Sequence, residues 1–207
     1  MDALRISPRY TSLDWQRLDS SDPKDWPTAV DIVRDRLDGR FLRFANDCLK
    51  QKYSGFVVLA IDCLLAETIQ QFMEGIIRDD ESSRKLFKRF LTGKHFQTHF
   101  DPQAREAFYV DIRCGLLHKA EAKNMWLIRR NQSSLLKIEG GQLYIIDVER
   151  FHAALQSTFD DYLKAITEPA NSPLRSNLWK KMDHICSVRT ARGALYEGED
   201  NAVSSLG

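Results

Sequence analysis

Residues 102–123 read "PQAREAFYVDIRCGLLHKAEAK", and whether they form one helix decides how the rest of the chain is arranged. Pro102 suits a first helical turn, where its missing N–H costs nothing. Phe108, Ile112 and Leu116 then recur at four-residue steps, which is the spacing of one apolar helical face. Arg113 and His118 lie inside this stretch, separated by Cys114, Gly115, Leu116 and Leu117. On an ideal helix, positions five apart point about 140° away from each other. Both cations can address one site within a single chain only where the helix ends or distorts. Gly115 is the residue placed to allow that.

Working outward, the same periodicity marks further helices on both sides. Val30, Val33, Leu37, Phe41, Phe44, Ala45, Cys48 and Leu49 recur at three- and four-residue steps, with charges on the other face. Residues 55–77 are apolar nearly all round for their first half, as expected of a central, buried helix. "DDESSRKLFKRFLTG" gives a short helix with an Asp/Ser start and a Gly93 stop, and "KHFQTHFDP" a loop. After residue 123 the period switches: "MWLIRR", "SLLKIEG" and "QLYIIDV" read as short strands, and Gly140-Gly141 as a hairpin turn. "ERFHAALQSTFDDYLKAI" and "SPLRSNLWKKMDHIC" return to helix.

The sequence therefore predicts a mainly α protein, an up-and-down helical bundle with a small β-hairpin insertion at about residues 125–147. Residues 1–25 read as an extended polar lead-in, 26–186 as the bundle and 187–207 as a flexible C-terminal tail.

Bulk properties exclude several function classes. A net charge of +1 creates no global field for a polyanion, so any nucleic-acid site has to be a local patch. The N-terminal "MDALRISPRY" lacks a basic-then-apolar signal layout, and "FVVLAIDCLLAETI" is interrupted by Asp62 and Glu67. The four cysteines form no CxxC pair and read as reduced thiols, so the expectation is a cytoplasmic protein without membrane association. Glycine-rich phosphate loops, HExxH, GxSxG and dinucleotide fingerprints are all missing, leaving ordinary kinase, hydrolase and dehydrogenase readings without support.

Three constellations could still carry chemistry. His95 and His99, with Asp101 nearby, have the i, i+4 spacing of metal ligands, but Gly93 and Pro102 bracket them and favour a surface loop. Asp62 and Glu67 interrupt an apolar helix; either could orient an Arg or a His across the bundle, or simply pair with a nearby Arg. The third is Arg113 with His118. A histidine can move the proton of a ribose 2′-hydroxyl near neutral pH, and an arginine can clamp the phosphate as charge builds, with no metal required. The competing structural roles are a salt bridge from Arg113 to a carboxylate such as Asp62, and a helix C-cap for His118. Lys119, Lys123, Arg129 and Arg130 follow closely, with Trp126 among them. This composition suits single-stranded RNA, and equally a solvated amphipathic hairpin.

"RCGLLH", late in an apolar helix of a small α bundle, resembles the Arg-x(4–6)-His signature of HEPN-domain proteins, and the likeness covers roughly residues 30–165. "RFLTGKH", from Arg89 to His95, fits the same spacing, but it lies on a short charged helix. The resemblance implies a helical bundle that forms a homodimer. It also implies a metal-independent endoribonuclease of toxin–antitoxin, CRISPR-associated or other antiviral systems, with no cofactor. Two copies of the motif would meet across the interface in one composite site. Arg113 would stabilise the scissile phosphate and His118 would transfer the proton, supported by Asp62, Glu67, Tyr109 and Cys114. RNA would be the substrate, and a cognate antitoxin or a nucleotidyltransferase-type protein the expected companion. Active members often carry Asn, Asp or His directly after the arginine, where this chain has Cys114. The alternative is a non-catalytic HEPN-like interaction or regulatory subunit.

Overall fold

Helix α4 (Gly55–Glu74) is the element around which the others pack: α3 (Arg43–Leu49), α5 (Ser83–Phe90), α8 (Val148–Thr167) and α9 (Ser172–Ala191) all contact it. Its apolar sequence explains this position, because Val58, Leu59, Cys63, Leu65, Ala66, Ile69 and Phe72 together need cover on several sides. By length and hydropathy α4 could cross a membrane; here half of its most apolar window is buried inside the fold. Gly75 ends the helix in the left-handed conformation, φ 65°, that glycine adopts without strain. The structure is a computed structural model and describes residues 3–77 and 82–191.

The polar start of the chain is folded, which corrects the expectation of an extended lead-in. Helix α1 (Ser12–Gln16) carries a capping box in which the Asp14 amide donates to the Thr11 hydroxyl and the Thr11 amide donates to the Asp14 carboxylate. Ile6 and Trp15 are buried, and the Trp15 indole donates to Asp183 at 2.7 Å. Arg9 pins the segment to Asp31 and Asp35. These contacts link residues far apart in sequence, and a local period cannot show them.

Next comes α2 (Trp26–Leu37), which continues through a π-helical turn at Asp38–Leu42 into α3 (Arg43–Leu49). Helix α5 (Ser83–Phe90) lies against α4. The helix sought over residues 102–123 begins as α6 (Pro102–Ala107), with Asp101 accepting the Ala104 amide as its N-cap. It passes through a second π-helical turn at Phe108–Arg113 and finishes as α7 (Cys114–Lys119).

Strands β1 (Trp126–Arg129), β2 (Leu136–Glu139) and β3 (Leu143–Asp147) form one sheet in the order β1-β3-β2. The predicted hairpin is β2–β3, antiparallel, turning on Gly140 and Gly141 at positive φ. Strand β1 joins the other edge of β3 in parallel. Asp147 then caps α8 (Val148–Thr167) through the Arg150 amide, and α9 (Ser172–Ala191) follows. The described part of α9 runs beyond residue 187, where a flexible tail was expected; residues 192–207 lie outside the described residues.

The protein is thus mainly α-helical with a small three-stranded sheet. A chain of aromatic contacts joins the two parts: Phe108 stacks on Phe151 at 5.2 Å and meets Trp126 edge-on at 5.3 Å. Each fully buried phenylalanine here contributes about 1.5–3 kcal/mol of transfer free energy, so this seam fixes the sheet to the helix that carries the motif.

Candidate functional site

Arg113 leaves the end of the second π-helical turn and crosses to α4. Its Nε donates to Glu67 Oε1 at 2.6 Å and its Nη2 to Glu67 Oε2 at 3.1 Å, a two-point ion pair. Both side chains are largely buried, 15% and 10% exposed. Burial opposes the charge on Arg113, but the Glu67 bonds and field outweigh it and raise the guanidinium's affinity for its proton. The Arg113 guanidinium also lies 5.4 Å from the centre of the Tyr109 ring. Burial pushes the Tyr109 phenol above its ordinary range. Cys114 is half-buried beside Arg113, while the Cys63 thiol under the site is fully buried and pushed up for that reason. Arg113, Glu67, Tyr109 and Cys114 are therefore brought together.

Asp62 does not join them. Its Oδ1 lies 2.7 Å from His152 Nδ1 of α8, and the other ring nitrogen of His152 lies 3.3 Å from Asn46 Oδ1 of α3. Desolvation raises the Asp62 carboxyl, against the opposing effect of the His152 bond. Asp62 thus neither supports the motif nor serves as the carboxylate for Arg113. Positions 62 and 67 point about 140° apart on a helix, so one carboxylate faces α8 and the other faces the motif.

Gly115 has a different role from the one expected. The helix does not break there; the distortion lies one step upstream, in the π-helical turn that ends at Arg113. After α7, Ala120 enters the left-handed region at φ 55° and the chain turns back along the helix. The Glu121 amide donates to the Gly115 carbonyl, and the Lys123 amide to that of Asp111. A Cβ on Gly115 would come within 2.4 Å of the Glu121 carbonyl oxygen, so only glycine fits under this return. The buried Asp111 carboxylate completes the clamp by accepting from Asn124 Nδ2 at 2.6 Å and from Trp126 Nε1 at 3.2 Å. Asp111 and Asn124 were the positions missed in the sequence; the signal was a carboxylate on a buried face that needs donors.

His118 is solvent-exposed on α7, whereas Arg113 is drawn inward, so a single chain turns the two toward different surroundings. Lys119 and Arg129 are exposed and Lys123 half-buried. Trp126 and Arg130 are corrections to the expected RNA surface. Trp126 is 4% exposed, stacked at 4.5 Å on Tyr144 and bonded to Asp111, so it has no free face for a base. Arg130 donates to the Leu49 and Gln51 carbonyls and to the Ser54 hydroxyl, tying the sheet to the α3–α4 connection.

The His95 and His99 segment is a series of turns and not a helix. His95 bonds Asp161 of α8 at 2.6 Å, and His99 is exposed. Among the described residues no group of three or more His, Cys, Asp or Glu side chains is placed to hold a metal. Arg89, the start of the competing motif match, is paired with Glu74.

Comparison with models of known families, with curated proteins and with solved structures finds no match to this chain.

Proposed function

We propose that this chain is a metal-independent endoribonuclease of the HEPN type, acting as a homodimer in a toxin–antitoxin or antiviral-defence setting. The observation that carries the reading is an arginine preset by a two-point carboxylate bond at the end of the π-helical turn that leads into the short helix of an exposed histidine. A guanidinium held this way meets a phosphate without first losing side-chain entropy. His118 supplies the proton transfer. Because the two side chains face apart in one chain, the productive pair is Arg113 of one copy with His118 of another. A surface for that second copy is available. Val57 and Leu64 on α4, and Val110 and Leu117 on the motif helix, are each 40–52% exposed. Each pair is seven residues apart, and the Glu67–Arg113 bond joins the two helices that carry them.

Incubation of the full chain with RNA in EDTA tests this. Wild type cleaves; Arg113→Ala and His118→Ala each lose about a hundredfold or more, as expected for loss of charge stabilisation or of a proton-transfer group. Uncut RNA, or equal cutting by both variants, ends the proposal.

The second reading is a non-catalytic interaction subunit, and the same ion pair favours it, since a largely buried two-point bond also describes a structural bridge. Glu67→Gln separates the two. If Arg113 acts on RNA, the neutral amide keeps one bond and leaves the guanidinium at the site, so cleavage persists while Arg113→Ala abolishes it. A purely structural bridge shows loss of stability in both variants and no cleavage in either or in wild type.

A further inference from the structure

The π-helical turn at Asp38–Leu42 sits away from the motif and has its own consequence. Arg43 and Phe44 lie three and four residues after Arg40, so both neighbour it on the helix surface. Facing them is the N-terminal segment, seated so closely that a Cβ on Gly39 would come within 2.8 Å of the Pro8 ring. Between the two lies a cleft of about 570 Å³, lined by Arg5, Pro8, Gly39, Arg40, Arg43 and Phe44. Arg5 Nη1 donates to the Pro8 carbonyl at 2.6 Å, and Arg40 Nη2 to the Arg5 carbonyl at 3.2 Å. The guanidinium of Arg43 lies 4.6 Å from the centre of the Phe44 ring, and that ring is 48% exposed. Among the described residues no carboxylate lines the cleft.

Three guanidinium groups in one cleft are the local anion patch that a net charge of +1 does not supply globally. π-Helical turns are rare and occur often at functional sites. The exposed aromatic narrows the ligand class, because a nucleobase stacks on a ring and on an arginine plane while an acidic peptide has no such face. We infer that the Arg5–Arg40–Arg43 cleft binds a phosphodiester of single-stranded RNA, with Phe44 stacking an adjacent base. As an RNA-holding site for a nuclease it rests on the function proposed above. Helix α3, which carries Arg43 and Phe44, packs directly on α4, which carries Glu67, so both sites belong to one core.

The test is fluorescence anisotropy of the full chain carrying His118→Ala, so that the probe stays intact, with a labelled single-stranded RNA of about twelve nucleotides. Arg43→Ala weakens binding about tenfold and lowers the salt slope by about one, as loss of one phosphate contact requires. Phe44→Ala weakens it about fivefold or more with the slope unchanged. Polyglutamate at matched charge does not displace the RNA. Both positions are exposed, so unchanged melting temperatures are expected for both variants. The inference is overturned by absence of RNA binding, by normal binding in both variants, or by equal displacement with polyglutamate. A wild-type chain that binds through Arg43 and Phe44 yet cuts no RNA defeats the nuclease reading alone. A chain that cuts RNA while both variants bind normally defeats the cleft alone.

Discussion

Asp62 and Glu67 lie five residues apart on α4, both buried, and they meet opposite kinds of partner. Asp62 meets a histidine and, beyond it, an asparagine, in a cluster that joins α3, α4 and α8. Glu67 meets an arginine at the margin of the fold, just before a short helix whose residues Leu117, His118 and Lys119 are exposed. One carboxylate is fully enclosed, at 0% exposure, and the other retains a path to solvent. A polar group sealed inside the core can only stabilise or specify packing, whereas one at the margin can also present its partner to a ligand. Position around one helix, not residue type, separates the two.

The largest effect expected from this difference is on stability. His152→Ala removes the partner of a sealed carboxyl and opens a cavity between α4 and α8, and the cost is about 3–5 kcal/mol. Arg113→Ala leaves Glu67 unpaired too, but water reaches that site, so its cost falls below that of His152→Ala. Urea denaturation of both variants measures the order. A reversed order would mean that the marginal pair, and not the sealed one, holds the fold together.

Gly115→Ala comes next, at about 1–3 kcal/mol, because the new methyl meets backbone that is already anchored by two return hydrogen bonds. The loss falls on the motif side of the comparison: hydrogen exchange at the Glu121 and Lys123 amides speeds up, while the core amides of α4 keep their protection. Uniform loss of protection throughout would show that the motif helix and the sealed cluster are one cooperative unit.

These cases also show what the sequence could carry. Helix α4, the stretch through α6 and α7, the β2–β3 hairpin and helices α8 and α9 were legible, because their apolar periods and glycine turns are local signals. The Thr11–Asp14 capping box was local too, yet the helix it opens spans only five residues and is held by Trp15 reaching Asp183, a contact across 168 positions. The π-helical turns escaped because one added residue shifts a stripe without erasing it. At the site, Arg113 with a carboxylate was legible, but which carboxylate was not: Asp62 and Glu67 interrupt the same apolar run, and only the packing of α7 and α8 chooses between them. Trp126 and Arg130 looked like ligand-binding residues because composition cannot tell a buried indole or a backbone-anchoring arginine from exposed ones.

The smallest effect is on pH dependence, and it is read at the sealed carboxylate. Burial raises the Asp62 carboxyl above its unfolded value, and among the described residues its Oδ2 has no hydrogen-bond partner to hold a negative charge. In the window that begins at the unfolded carboxylate value of about 4, the folded chain keeps a proton that the unfolded chain has lost. Stability attributable to Asp62 therefore falls as pH rises through that window, since the folded state binds more protons than the unfolded one. Asp62→Asn has no such proton, so the stability of wild type minus that of Asp62→Asn should decline from about pH 4 upward until the folded carboxyl ionises. Denaturant titrations of both proteins at stepped pH measure it directly. A difference that grows with pH would mean that Asp62 is ionised against His152. The sealed cluster would then be an ion pair like Glu67–Arg113, and only exposure would still distinguish the two.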